Sequence, residues 1–61
     1  MNNKTKELLR QACKSQGLGK EMTHSILLII VTNKGLTGEV DTIEEAHVLV
    51  DRALNYFWKK S

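Results

Sequence analysis

The sequence predicts an all-α fold of three helices, on the strength of two repeated stop signals and one amphipathic segment. Two segments end in Gly followed by Leu, a pattern typical of helix C-termini. A third begins with capping residues and continues with an apolar face at helical spacing. We expect helices over about 4–16, 20–34 and 41–59, forming a single helical domain of residues 1–61.

The first two helices are predicted from their ends. Gly17-Leu18 and Gly35-Leu36 have the order that a Schellman motif requires, in which Gly takes a left-handed conformation and the next apolar residue folds back on the last turn. Lys14 and Lys34 lie in the predicted last turns, where a cation interacts favourably with the helix dipole. The spacing of the two stops therefore predicts two short helices.

The second helix has an alternative, because 26–31 holds four β-branched residues and could form a strand. No second convincing strand is present to pair with it, which favours a helix. In a helix the apolar residues surround the axis: Met22, Ile26, Ile29 and Ile30 form one stripe, and Leu27, Leu28 and Val31 lie on the other sides.

The third helix begins at one of two overlapping capping boxes, Asp41 with Glu44 or Thr42 with Glu45. From there its apolar residues, with His47, occupy one contiguous half at 100° per residue. These residues are Ile43, Ala46, His47, Leu49, Val50, Ala53, Leu54, Phe57 and Trp58. Val48 is the apolar exception on the polar half.

A shortage of core predicts self-association. Apolar burial and the conformational entropy of 61 residues each come to about 90 kcal/mol, so a single chain is near balance. The second helix carries more apolar surface than two neighbours can cover. We therefore expect a helical homodimer with helix 20–34 central. The predicted interface consists of Met22, Ile26, Leu27, Leu28, Ile30 and Val31.

Charge is divided between the two halves of the chain. Residues 1–34 hold six basic and two acidic side chains, whereas 35–61 hold three basic and five acidic ones. The polar N-terminus predicts no signal peptide, and the longest apolar run, 26–31, is far shorter than a membrane span. These features favour a cytoplasmic protein with a reduced thiol and no membrane association.

The sequence offers few groups for catalysis or metal binding. Cys13, His24 and His47 are too few for a structural zinc site, and no phosphate-binding or dinucleotide-binding motif is present. Cys13 lies on the apolar stripe of its helix, where a thiol usually packs as a small hydrophobe. We expect no enzyme activity, no catalytic residues, no metal and no cofactor.

Binding to a partner is the remaining function class. Lys6, Arg10 and Lys14 follow one another at i, i+4 and i+8, and Lys20 begins the next helix. The aromatic end of the third helix adds three interface candidates, Tyr56, Trp58 and Lys59.

The expected function is that of a small, non-enzymatic intracellular regulator, inhibitor or adaptor that acts as a homodimer on an unknown protein partner. The alternative is a small dimeric DNA-binding regulator, because helix, Gly turn and helix follow one another as in a helix-turn-helix. In that case the start of the second helix would reach base edges through Lys20, Glu21, Thr23 and His24, and the first helix would contact phosphates through Lys6, Arg10 and Lys14. Against that alternative, 26–31 leaves the second helix little polar face with which to read bases. A purely structural subunit is a third possibility.

Overall fold

The computed structural model describes residues 2–33 and 39–59, with side chains as far as Tyr56. It contains three helices, α1 Asn3–Ser15, α2 Lys20–Thr32 and α3 Ile43–Lys59, and the described residues contain no strand. The predicted all-α fold is confirmed, and 26–31 is helical within α2.

The end of α1 is the predicted Schellman motif. Gly17 has φ +77°, the Leu18 N–H donates to the Cys13 carbonyl at 3.1 Å, and the Gly17 N–H donates to the Lys14 carbonyl at 3.0 Å. Half-buried Leu18 then packs against the core. The second predicted stop, Gly35-Leu36 with Lys34, lies outside the described residues.

Side-chain caps define the starts of α1 and α3. The Asn2 side chain accepts a hydrogen bond from the Thr5 N–H at 2.8 Å, so α1 begins one residue earlier than predicted. At α3, Thr42 Oγ1 accepts from the Glu45 N–H at 3.2 Å, and Glu45 Oε1 accepts from the Asp41 N–H at 3.3 Å. Of the two predicted capping boxes, the structure contains the Thr42–Glu45 pair, and α3 begins two residues later than expected.

The core lies where the three helices meet, and α1 packs most extensively against α3. Its buried apolar residues are Leu9, Ala12, Cys13, Ile26, Ile30, Val40, Ala46, Val50 and Ala53. Ile43 is an exception to the predicted apolar face of α3, because it lies in the first turn and is 37% exposed.

Polar contacts near both ends of α1 hold α3 and the segment before it in place. The Val40 N–H donates to Oγ1 of the fully buried Thr5 at 3.2 Å. Thr5 therefore provides the buried Val40 N–H with a hydrogen-bond acceptor that the donor would otherwise not have in the core. At the other end of α1, Gln16 Nε2 donates to Asp51 Oδ1 at 3.2 Å and lies 3.3 Å from His47 Nδ1.

Candidate functional site

A concavity of about 540 Å³ lies between α1 and α2. Four of its lining residues carry basic side chains: Arg10 and Lys14 from α1, Lys20 and His24 from α2. The others are Leu18, Thr23 and Leu27. We call these seven residues the basic groove.

The local fold explains why the basic side chains converge. Arg10 and Lys14 are one turn apart on α1, and Lys20 and His24 are one turn apart on α2, so each pair lies on one side of its helix. The Schellman turn brings the chain back after Ser15 and places Lys20 beside the end of α1. Three permanent positive charges thus line one concave surface.

Nearby acidic groups compensate this charge only in part. Arg10 Nη1 donates to Glu7 Oε1 at 3.1 Å, and both side chains are more than half exposed. This pair is an exposed i, i+3 contact of the kind that stabilises by less than about 1 kcal/mol. No carboxylate is among the groove's lining residues in the described part of the chain. The groove therefore favours an anionic ligand.

A second concavity, of about 520 Å³, lies on another side of the start of α2. Lys20 and Glu21 both line it, together with Gly19, Met22 and Ser25. Because one cation and one carboxylate share this surface, its charge gives no preference for a ligand of either sign.

The Cys13 thiol lies in the buried core of the three helices. Cys13 is fully buried, and burial raises the pKa of its thiol, while a hydrogen bond from the Thr23 side chain partly lowers that pKa. A thiol of this kind stays protonated and unreactive at neutral pH. The His47 side chain is within hydrogen-bond distance of the Gln16 side-chain amide. Within the described residues no three His, Cys, Asp or Glu side chains lie close enough to share a metal ion.

The structure brings together some of the predicted partner-binding residues and separates others. Arg10, Lys14 and Lys20 meet in the basic groove. Lys6 is exposed one turn before Arg10 but does not line the groove. Tyr56 is exposed near the far end of α3. The side chains of Trp58 and Lys59 lie outside the described part of the chain.

The predicted self-association residues fall into two sets. Ile26 and Ile30 are fully buried in the core of the single chain, which removes them from any surface that a second copy could contact. Leu28 and Val31 are 50% and 51% exposed. Met22 is half-buried, and Leu27 is half-buried at the edge of the basic groove. Leu28 and Val31 are therefore the most accessible of the predicted interface residues, and Met22 and Leu27 are accessible in part.

Among the groove residues, sequence reasoning missed Leu18 as a site residue; it assigned Leu27 to the dimer interface, and Thr23 and His24 only to base reading in the DNA-binding alternative. The i, i+4 spacing of Lys20 and His24 is a signal that could have added the histidine. The leucines and Thr23 carry no such signal, because only the pairing of α1 with α2 places them beside the cations.

Comparison of the chain with protein-family models, curated proteins and solved structures finds no match. None of the helices in the described ranges is both long and apolar enough to cross a membrane.

Proposed function

We propose that this protein is a small, non-enzymatic intracellular regulator, inhibitor or adaptor, and that it binds a partner protein through the basic groove. The observation that carries the proposal is the convergence of Arg10, Lys14 and Lys20 beside two leucines in one concavity. Protein-binding sites of this type combine charge for orientation with apolar surface for affinity. The partner is blocked or recruited by occupation of its surface.

The proposal includes a homodimer formed through the outward side of α2. Leu28 and Val31 lie three residues apart, so their half-exposed side chains are neighbours on that side. A second copy of the chain would cover the same residues by symmetry. Ile26 and Ile30 contribute to the stability of each protomer and not to the interface.

Sedimentation velocity tests the dimer. We expect the wild-type chain to sediment as a dimer at micromolar concentration, and Leu28→Glu with Val31→Glu to sediment as a folded monomer. Val48→Glu is the matched control, because Val48 is 50% exposed on α3. A monomeric wild type, or dimers unaffected by the double substitution, would remove this part of the proposal.

Photo-crosslinking in the native cell tests partner binding. A photoreactive amino acid at His24, which is exposed within the groove, should give a discrete crosslinked protein. Arg10→Glu with Lys14→Glu should abolish that product, and the same photoreactive group at Val48 should not form it. Failure to crosslink any protein, or equal products from both positions, would contradict the proposed role of the groove.

The alternative function, dimeric DNA binding, is favoured by one observation. α1 and α2 are joined by a four-residue turn, 16–19, as in a helix-turn-helix, and Lys20, Thr23 and His24 lie in the first turns of α2. Three phosphate contacts per protomer, and so six per dimer, would give a slope of about −5 for log affinity against log salt. A salt titration with random-sequence duplex DNA measures this slope. We rank this function second, since Leu18 and Leu27 have no counterpart on a phosphate backbone.

A further inference from the structure

We infer that the ligand of the basic groove is an acidic peptide segment with at least two carboxylates beside one large apolar side chain. This inference rests on the proposed function and specifies the chemistry of the partner.

The cations determine the sign and the spacing of the ligand's charges. Arg10 and Lys14 are i, i+4 neighbours, so their Cβ atoms lie about 5–6 Å apart along one wall of the groove. Lys20 stands on the other wall, on α2. A single carboxylate can neutralise positive charge on only one wall of the groove, whereas two carboxylates can neutralise charge on both walls. Arg10 can also bind a carboxylate through two parallel hydrogen bonds.

The leucines determine the apolar part of the ligand. Leu18 is held in place by the Schellman hydrogen bonds at the end of α1, and Leu27 lies on α2 two turns after Lys20. Both are half-buried, so each still presents apolar surface to the groove. A large apolar side chain that covers this surface binds favourably, because both apolar surfaces are removed from water.

Because cations and leucines line the same groove, a ligand that is only anionic or only apolar fits it less well than one that is both. A free phosphate or a nucleic-acid backbone would neutralise the cations but leave the leucines in contact with water. An apolar helix would cover the leucines but leave Arg10, Lys14 and Lys20 near a surface with no counter-charge. An acidic segment with an apolar anchor satisfies both parts of the groove at once.

Fluorescence anisotropy with synthetic peptides tests this specificity. Three labelled peptides of twelve residues share one sequence: one has four Asp around a central Leu, the second has Ser in place of that Leu, and the third has Asn in place of each Asp. We expect the first peptide to bind most tightly, and each of the others to bind at least about fivefold more weakly.

A matched pair of protein variants locates the binding. Arg10 in the groove and Arg52 on α3 are both exposed arginines, so Arg10→Glu and Arg52→Glu make the same change in net charge at different places. Arg10→Glu should weaken the first peptide about tenfold, and Arg52→Glu less than about twofold. Circular dichroism melts confirm that both variants remain folded.

Specific results would overturn the inference. Equal affinity for the Asp and Asn peptides, equal loss from the two arginine variants, or tighter binding of a 20-base-pair duplex DNA than of the first peptide would each do so. The photo-crosslinking at His24 distinguishes an error in the ligand chemistry from an error in the proposed function. A crosslinked partner segment that is neutral or basic overturns the ligand chemistry alone, whereas the absence of any crosslinked protein overturns the proposed function itself.

Discussion

The α1–α2 pair has two contrasting sides made from the same two helices. On the inner side Cys13, Ile26 and Ile30 are fully buried. On the outer side Arg10 and Lys20 line an open groove, and further along α2 the side chains are half-exposed leucine and valine. Neighbours in sequence can fall on opposite sides, because successive residues of a helix point about 100° apart. The inner side stabilises the fold, and the outer side is free to carry binding chemistry.

The sharpest test of this contrast uses two adjacent residues. Ile30 is fully buried and Val31 is 51% exposed. Ile30→Ala should lower the free energy of unfolding by about 2–4 kcal/mol, because it removes buried methyl groups and leaves a cavity. Val31→Ala should lower it by less than about 1 kcal/mol. Urea denaturation of both variants measures the difference.

Self-association has to be held constant in this comparison, because a dimer adds stability that depends on concentration. The measurement is therefore repeated at two protein concentrations a hundredfold apart. A loss at Val31 that equals the loss at Ile30 at both concentrations would show that the two sides of α2 are not distinct.

The sequence predicts local backbone structure better than contacts between helices. Gly17-Leu18 is a local signal, since the Schellman hydrogen bonds join residues within one turn, and its prediction is confirmed. The burial of Thr5 was not predictable in this way, because its partner, the Val40 N–H, is 35 residues away and meets it only in the folded chain. Residues brought together by the chain's tertiary packing leave no periodic signal.

The same reason explains what was missed at the groove. The spacing of Arg10 and Lys14 shows in the sequence that they share a side of α1, and Lys20 is visible as the start of α2. The crossing of the two helices, which turns separate basic residues into one concavity, is not encoded in either spacing. Periodicity also could not divide the apolar residues of α2 into core and surface, because they surround the helix.

A second prediction concerns the turn that orients the two sides. Gly17 has φ +77° and no atom within 4 Å of the position that a Cβ would take, so Gly17→Ala meets only backbone strain. We expect a loss of about 1–2 kcal/mol in the free energy of unfolding.

Gly19 is the matched control for this substitution. It has φ −77° and likewise no atom within 4 Å of a Cβ, so Gly19→Ala should change the free energy of unfolding by less than about 0.5 kcal/mol. The two variants are compared in the same urea titration. Equal losses would mean that the left-handed residue does not control the path of the chain into α2.

A third prediction uses pH to probe the inner side. Burial raises the pKa of the Cys13 thiol above the model-compound value of 9.0. The unfolded thiol therefore loses its proton at lower pH than the folded one, and the folded state binds more protons above about pH 9. Stability should fall as pH rises past that value, and Cys13→Ala should flatten this part of the pH profile. Chemical denaturation between pH 8 and 10.5 measures it. An unchanged slope in the alanine variant would exclude Cys13 as its source.

The smallest effect is expected on the outer side, at the ion pair beside the groove. Glu7 accepts a hydrogen bond from Arg10 at 3.1 Å and so competes with any acidic ligand for the guanidinium. Glu7→Gln removes the competing charge while keeping the size of the side chain. Because an exposed pair of this kind contributes only about 0.3–0.5 kcal/mol, the acidic peptide should bind about twofold more tightly and the free energy of unfolding should fall only slightly. Glu44→Gln, on α3, makes the same charge change away from the groove and should leave peptide affinity unaltered. An equal gain from both variants would indicate a general effect of net charge, whereas a gain from Glu7→Gln alone would locate the binding at Arg10.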